Sequence, residues 1–237
     1  MNPPERTVLV TGATGGLGRV AVRQLAAGGA RIGIVSSNRE RLDALAREAS
    51  LAPDRSQIAV ADLGDPDQAR SAVRAIEHSL GGVDVAIHLV GGYRSGTPVV
   101  DLTDTDVTEM LEHHLWTTLH VARAVVPGMV ERGFGRMIAV SIPNAGTPGA
   151  NMGAYAVGKA AQESLLLALS REVAGSGVTV NVLQVRAIDV AHERDRERTN
   201  RNASWTTPEE IVAAIAFLAS DAARSINGAR IPLYGAG

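Results

Sequence analysis

Thr11-Gly12-Ala13-Thr14-Gly15-Gly16-Leu17-Gly18 lies between a short β-rich run at residues 7–10 and a helical run at about 16–27. A glycine turn that leaves a first strand and opens a helix is the mark of a nucleotide-binding βα unit. Gly12 permits the tight exit from the strand. Gly16 lets the backbone approach a pyrophosphate, and Gly18 lets the helix pack closely on the sheet. With Thr14 and Leu17 these glycines form the first set of candidate cofactor contacts. Glycines alone are weak evidence, since many βα turns use them for backbone reasons. Their place at the first strand, ahead of further strands at regular intervals, gives them weight.

Those further strands are predicted at residues 31–35, 57–61, 83–90, 137–141, 178–183 and 229–233. Helical periodicity fills the intervals at 39–49, 66–80, 104–131, 153–174 and 208–220, with the long fourth interval expected to bend near Pro127. Pro66 opens its helix, where a missing N–H costs nothing. Strands alternating with helices of this length predict successive βαβ units. The expected fold is α/β: one doubly wound, Rossmann-type domain over 1–237, with seven parallel strands and helices on both faces. No Pro/Gly/Ser linker or internal repeat divides it. One stretch departs from the pattern. Residues 189–205 are charged and lack apolar periodicity, which suits either a substrate lid beyond the strand ends or a solvated loop.

Composition narrows the function. Of 237 residues, 45% are hydrophobic and 20% charged, a globular balance, and aromatics are only 3%, so the core must be aliphatic. A net charge of -2 argues against nucleic acid or an anionic membrane as partner. Cysteine is absent, which excludes disulfides, thiolate metal sites and a cysteine nucleophile. The six histidines show no metal-ligand spacing. No apolar run approaches the roughly 18 residues of a membrane span. Residues 1–6 lack a signal-like apolar region, so a cytoplasmic protein is expected.

Of 23 Lys plus Arg, Lys159 alone is lysine. Arg could not replace it if its task needs a compact ammonium. Tyr155 stands four residues before it, on the same helix face. A nearby cation favours phenolate and would draw the phenol from about 10 toward neutrality, where it can act as acid or base. The alternative is a chance pair on a solvated helix. At the end of the second strand, Val35-Ser36-Ser37-Asn38-Arg39 carries no carboxylate for a ribose 2′-hydroxyl. Ser37 and Arg39 suit a 2′-phosphate, which favours NADP over NAD, unless Arg39 simply faces solvent.

The Gly-x-x-x-Gly-x-Gly spacing resembles the short-chain dehydrogenase/reductase family, and the resemblance runs along essentially the whole chain. Tyr155-Ala156-Val157-Gly158-Lys159 matches its Tyr-x-x-x-Lys pair, and Val178-Thr179-Val180-Asn181-Val182 its sixth strand. The stretch from Thr207-Pro208-Glu209-Glu210-Ile211 to Gly228 is similar to its tail. The resemblance implies that Asp62 and Leu63 contact the adenine, that Lys159 holds the nicotinamide ribose, and that Ser141 polarises a substrate carbonyl. It also places Gly91 and Ile188 beside the cofactor. It further implies a homodimer or homotetramer paired through the helices that carry His114 and Tyr155.

Three departures stand out. His88-Leu89-Val90-Gly91 replaces the family's Asn-Asn-Ala-Gly, His114 takes the place of its relay Asn, and Val185-Arg186 replaces its Pro-Gly. His114 could relay protons or merely fill the gap and hydrogen-bond a carbonyl, while His88 reads as structural. Arg186 could suit an acidic substrate or form a surface salt bridge. The expected function is interconversion of a small-molecule carbonyl and alcohol, with Tyr155 as acid/base. The alternative is a dinucleotide-binding sensor or partner protein impaired in catalysis. The substrate pocket is expected along 92–98, 143–152 and the stretch after Asp189, with Tyr93, Met152 and Trp205 as apolar surface.

Overall fold

The first strand reads as an unbroken apolar run because both of its faces are covered. In the computed structural model, which describes residues 6–234, β1 (Thr7–Thr11) sends Val8 and Val10 into one apolar layer and Leu9 into the other. The remaining strands are β2 (Arg31–Ser36), β3 (Ser56–Val60), β4 (Val85–His88), β5 (Gly135–Ser141), β6 (Val178–Gln184) and β7 (Arg230–Pro232). All pair in parallel in a single sheet of order β3-β2-β1-β4-β5-β6-β7. The order reverses between β1 and β4, and a crevice opens beyond their carboxyl ends.

One face of the sheet is covered by α1 (Gly16–Ala27), α2 (Arg39–Glu48) and α8 (Pro208–Ala219), which bury Leu17, Leu42, Leu45, Ile211 and Ile215. The other carries α3 (Pro66–Leu80), α5 (Thr117–Glu131) and α6 (Gly153–Glu172), with Val73, Ile76, Val121, Val125 and Leu166. The short helices α4 (Asp104–Leu111) and α7 (Glu193–Arg196) complete the set. α3 starts as predicted: Asp65 accepts from the Asp67 and Gln68 N–H groups, and Pro66 follows it. No helix of the described residues is long and apolar enough to cross a membrane. The expectation about a signal segment falls mainly on residues outside those described.

The interruption in the long fourth interval does not lie at Pro127, which sits inside α5, but at a π-helical turn, Glu112–Trp116. Thr117 and Thr118 turn their hydroxyls back onto the carbonyls of His113 and His114, meeting acceptors that the widened turn leaves free. Such turns re-aim side chains, and this one carries His114.

The charged stretch after β6 is ordered by its own polar groups. Asp189 is buried and accepts from the N–H groups of Glu193 and Arg194. Arg194 donates to the Trp205 carbonyl and to Glu210, and Asn202 bridges the Thr199 N–H and the Glu197 carbonyl. Periodicity is missing here because hydrogen bonds, not an apolar face, hold the segment.

Candidate active site

A cavity of about 930 Å³ lies across the carboxyl ends of β1, β4, β5 and β6. At one end its wall is the turn before α1. Gly12 has φ +65°, and a Cβ there would lie 2.8 Å from the Leu89 carbonyl. A Cβ on Gly18 would lie 2.4 Å from the Gly12 oxygen, so this glycine lets the turn close on itself as well as on the sheet. A Cβ on Gly16 would meet Val190 at 2.8 Å, so the chain after β6 returns to cover the glycine turn. The N-cap, Gly15, offers no side chain to the first-turn N–H groups. A bare helix start, glycine-cleared backbone and a cavity of this size together fit a dinucleotide with its phosphates at α1.

The other end is built by β5, β6 and α6. Ser141 ends β5, and its buried Oγ has no hydrogen-bond partner. Tyr155 and Lys159 project from the first turns of α6, which can press against α4 because Gly158 has no side chain; a Cβ there would lie 2.5 Å from the Met110 oxygen. The Lys159 ammonium donates to the Val140 carbonyl at 2.8 Å and to Gln162 Oε1 at 3.1 Å. Gln162 Nε2 donates in turn to Thr118 Oγ1 at 2.9 Å. Gln162 and the Val140 carbonyl went unnoticed in the sequence. Gln162 could have been found, since it lies three residues beyond Lys159 on the same helix face.

The expected pull of Lys159 on Tyr155 is not what dominates. Burial, aided by the neighbouring Tyr93, pushes the Tyr155 phenol up to about 12. Burial also brings Lys159 down to about 7, only partly opposed by Glu163. Both groups are driven toward their neutral forms by the same desolvation. Aromatic rings crowd the phenol: Tyr93 meets it edge-on with centroids 4.9 Å apart, and His114 lies 5.5 Å away.

His114 is buried, and burial, then Lys159, lowers its pKa to about 3. A neutral ring must carry one proton, and Nε2–H donates it to the Gly92 carbonyl at 3.0 Å. That leaves Nδ1 as an acceptor without a partner, packed against Gly91. The ring thus does the structural task of holding a carbonyl while keeping one nitrogen open. His88 is different. Thr117 Oγ1 donates to the His113 carbonyl, so it accepts from His88 Nε2–H at 3.3 Å, and His88 Nδ1 accepts from Thr11 Oγ1 at 2.8 Å. With both nitrogens engaged and no place in the cavity wall, His88 is structural, as its position in the sequence suggested.

The structure therefore gathers Gly12, Gly16, Leu17, Gly18, Gly91, His114, Ser141, Tyr155, Lys159 and Ile188 around one cavity. The other expected cofactor contacts lie outside its wall. Thr14 Oγ1 bonds Ser36 Oγ at 3.0 Å, tying the turn to β2. Ser37 is exposed, and the Arg39 guanidinium lies on Asp43, 3.0 Å from both carboxylate oxygens. Asp62 accepts from the Gly64 N–H, and Leu63 is buried with its carbonyl bonded to His120. On the substrate side Tyr93 and Met152 line the cavity as expected, but Trp205 and everything after Ile188 do not.

Comparison with known proteins agrees with this geometry. A family model described as short chain dehydrogenase matches residues 6–201. The acetoacetyl-CoA reductase of Allochromatium vinosum is 30% identical over 240 residues, covering 97% of both chains. The 3-oxoacyl-[acyl-carrier-protein] reductase FabG of Rickettsia conorii is 30% identical over 97% of this chain and 95% of its own. The crystal structure of levodione reductase superposes with a TM-score of 0.87 at 26% identity, covering 98% of this chain and 97% of that one. The chain belongs to the short-chain dehydrogenase/reductase family of oxidoreductases.

Proposed function

We propose that the chain interconverts a carbonyl and an alcohol, with NADP in preference to NAD as the dinucleotide. One observation carries this reading: a single cavity joins the bare start of α1 to the orphaned Ser141 hydroxyl, Tyr155 and Lys159. A nicotinamide bound there supplies or accepts the hydride. Tyr155 gives its hydroxyl proton to the carbonyl oxygen in reduction and takes it back in oxidation. Ser141 Oγ donates a hydrogen bond to the same oxygen, strengthening as negative charge develops on it. An ammonium has three donors and Lys159 spends two on Val140 and Gln162, leaving one for the ribose. His114, edge-on to the Tyr155 ring, fixes the Gly92 carbonyl.

The absence of a carboxylate at the end of β2 supports NADP, and the Arg39–Asp43 pair is a weak competitor. Exposed i,i+4 pairs contribute about 0.3–0.5 kcal/mol, which a 2′-phosphate readily outweighs. The relatives' names, an acetoacetyl-CoA reductase and a 3-oxoacyl reductase, favour carbonyl reduction. A second copy pairs through the helices that carry His114 and Tyr155, a reading supported by exposed Trp116 and Val157 on those helices. The segment after Asp189 acts as a lid that closes from the glycine turn, which Val190 already covers.

The test is Tyr155→Phe. Turnover of a carbonyl substrate should vanish while NADPH binding, followed by reduced-nicotinamide fluorescence, stays within a few-fold of wild type. Unchanged turnover removes Tyr155 from the mechanism. NADPH binding by a wild-type protein that turns over no carbonyl or alcohol would favour the sensor reading instead.

A further inference from the structure

Arg186 brings a permanent charge to the wall of the cavity. In the β5–β6 register Ser141 lies opposite Gln184, and the Val185 N–H donates to the Ser141 carbonyl at 2.9 Å. The next residue is therefore held at the Ser141 end of the cavity, whose wall it joins. Its side chain is exposed, and among the described residues no carboxylate comes within ion-pair distance of it. What Arg186 has instead is the face of Tyr234, just past β7, with the ring centroid 5.5 Å from the guanidinium carbon. A ring in that position holds a guanidinium without neutralising it.

Among the described residues, the cavity wall contains no Asp or Glu. Its other basic groups are occupied or neutral: Lys159 is buried on Val140 and Gln162, and His114 donates to Gly92. Arg186 is thus the open cation of the site. Arg186 follows β6 beside the Ser141 end of β5, three strand spacings, or about 14 Å, across the sheet from the end of β1. The chain comes back to the glycine turn only at Val190, so an anion held at the Ser141 end of the cavity lies within reach of Arg186. The planar fork of a guanidinium fits a carboxylate or a phosphate alike, but the single charge of a lone Arg balances a carboxylate and leaves a phosphate monoester half compensated.

We propose that Arg186, held by Tyr234, is a specificity-determining residue that binds a carboxylate on the substrate, so that the site takes oxo acids and hydroxy acids ahead of neutral ketones and alcohols. The proposal deepens the dehydrogenase reading and rests on it.

The experiment compares 4-oxopentanoate and 5-oxohexanoate with their methyl esters, in wild type, Arg186→Leu and Arg186→Lys. Binding is measured by calorimetry on the protein loaded with oxidised NADP, which cannot reduce the ketone, and turnover by loss of reduced-nicotinamide absorbance with NADPH. Wild type should bind at least one acid tenfold or more tighter than its ester. Arg186→Leu should erase that preference through KM while leaving ester turnover and the NADPH Kd in place, and Arg186→Lys should keep part of it. Equal binding of acid and ester by wild type, or binding of neither acid, overturns the proposal. So does a loss of NADPH affinity in Arg186→Leu that matches the loss for the acid, which would assign the residue to the cofactor. Failure of the dehydrogenase reading has a separate signature: no NADPH binding, or no turnover of any compound despite tight binding of the acid.

Discussion

His88 should make the protein acid-sensitive, and by an amount that can be worked out. The ring is buried at the end of β4, where desolvation, with a smaller effect of Lys159, lowers its pKa from 6.5 to about 3. The unfolded chain takes up a proton near 6.5 and the folded chain does not until near 3. Stability conferred by the neutral ring is therefore complete above pH 6.5 and lost as pH falls toward 3. Each pH unit in that window is worth about 1.4 kcal/mol, so His88 alone should cost about 2 kcal/mol by pH 5. His114, lowered to about 3 by burial, adds a similar loss. Against a typical total of about 5–15 kcal/mol these losses are large. His88→Asn keeps a polar group between Thr11 and Thr117 but removes the titration. Urea unfolding followed by the fluorescence of Trp116 and Trp205 at pH 7.5, 6.5, 5.5 and 5.0 gives the comparison. The variant should lose stability with falling pH less steeply than wild type, by about 1.4 kcal/mol per pH unit below 6.5. Parallel pH dependences would refute the argument that the buried neutral ring is what acid attacks.

Gly12→Ala should cost at least about 2 kcal/mol, since φ +65° is strained for alanine and the new Cβ would lie 2.8 Å from the Leu89 backbone. NADPH binding should go with it, which a thermal melt and a fluorescence titration would check together. Ser141→Ala should leave Tm unchanged or higher, because a buried hydroxyl without a partner costs about 1–3 kcal/mol. Its kcat should fall about a hundredfold, and retained kcat would remove Ser141 from the site. Arg39→Ala should change stability by no more than about 0.5 kcal/mol, as its ion pair with Asp43 is exposed. It should weaken NADPH binding tenfold or more and spare NADH, and equal effects on both would exclude a 2′-phosphate contact.

Periodicity and the glycine turn made the fold legible because they are local signals, and every predicted strand forms within a residue or two of its expected ends. The site was legible where spacing alone decides it. Tyr155 and Lys159 face one cavity because a helix turns every 3.6 residues, and Ser141 joins them because β5 ends beside Lys159, which bonds the Val140 carbonyl. What stayed hidden depends on contacts between distant segments. Val190 reaches Gly16 only when the chain after β6 folds back, and nothing near either residue announces this. The π turn at Glu112–Trp116 has no breaker such as the Pro127 that drew attention instead. Charge between 189 and 205 concealed order, because the Asp189, Arg194 and Asn202 hydrogen bonds leave no periodic trace.

The clearest case is the ionisation of Tyr155 and Lys159, the pair to which we assign proton transfer. From the sequence, a cation beside a phenol predicts a lowered phenol pKa. In the fold, desolvation dominates both groups, with Lys159 near 7 and Tyr155 near 12, and neither shift owes anything to the other residue. At neutral pH an amine near 7 is only about half charged, and a half-charged neighbour is a weak stabiliser of phenolate. Two things would strengthen it: negative charge arriving in the cavity, or solvent re-entering it. Among the described residues, the cavity wall has no carboxylate of its own to do the first. The charge must therefore come with the ligands, through phosphates at α1 and, on our proposal, a carboxylate at Arg186. On that reading Tyr155 gains a stronger cationic neighbour when the ligands arrive, and the unliganded site holds a neutral phenol with an amine about half charged at neutral pH.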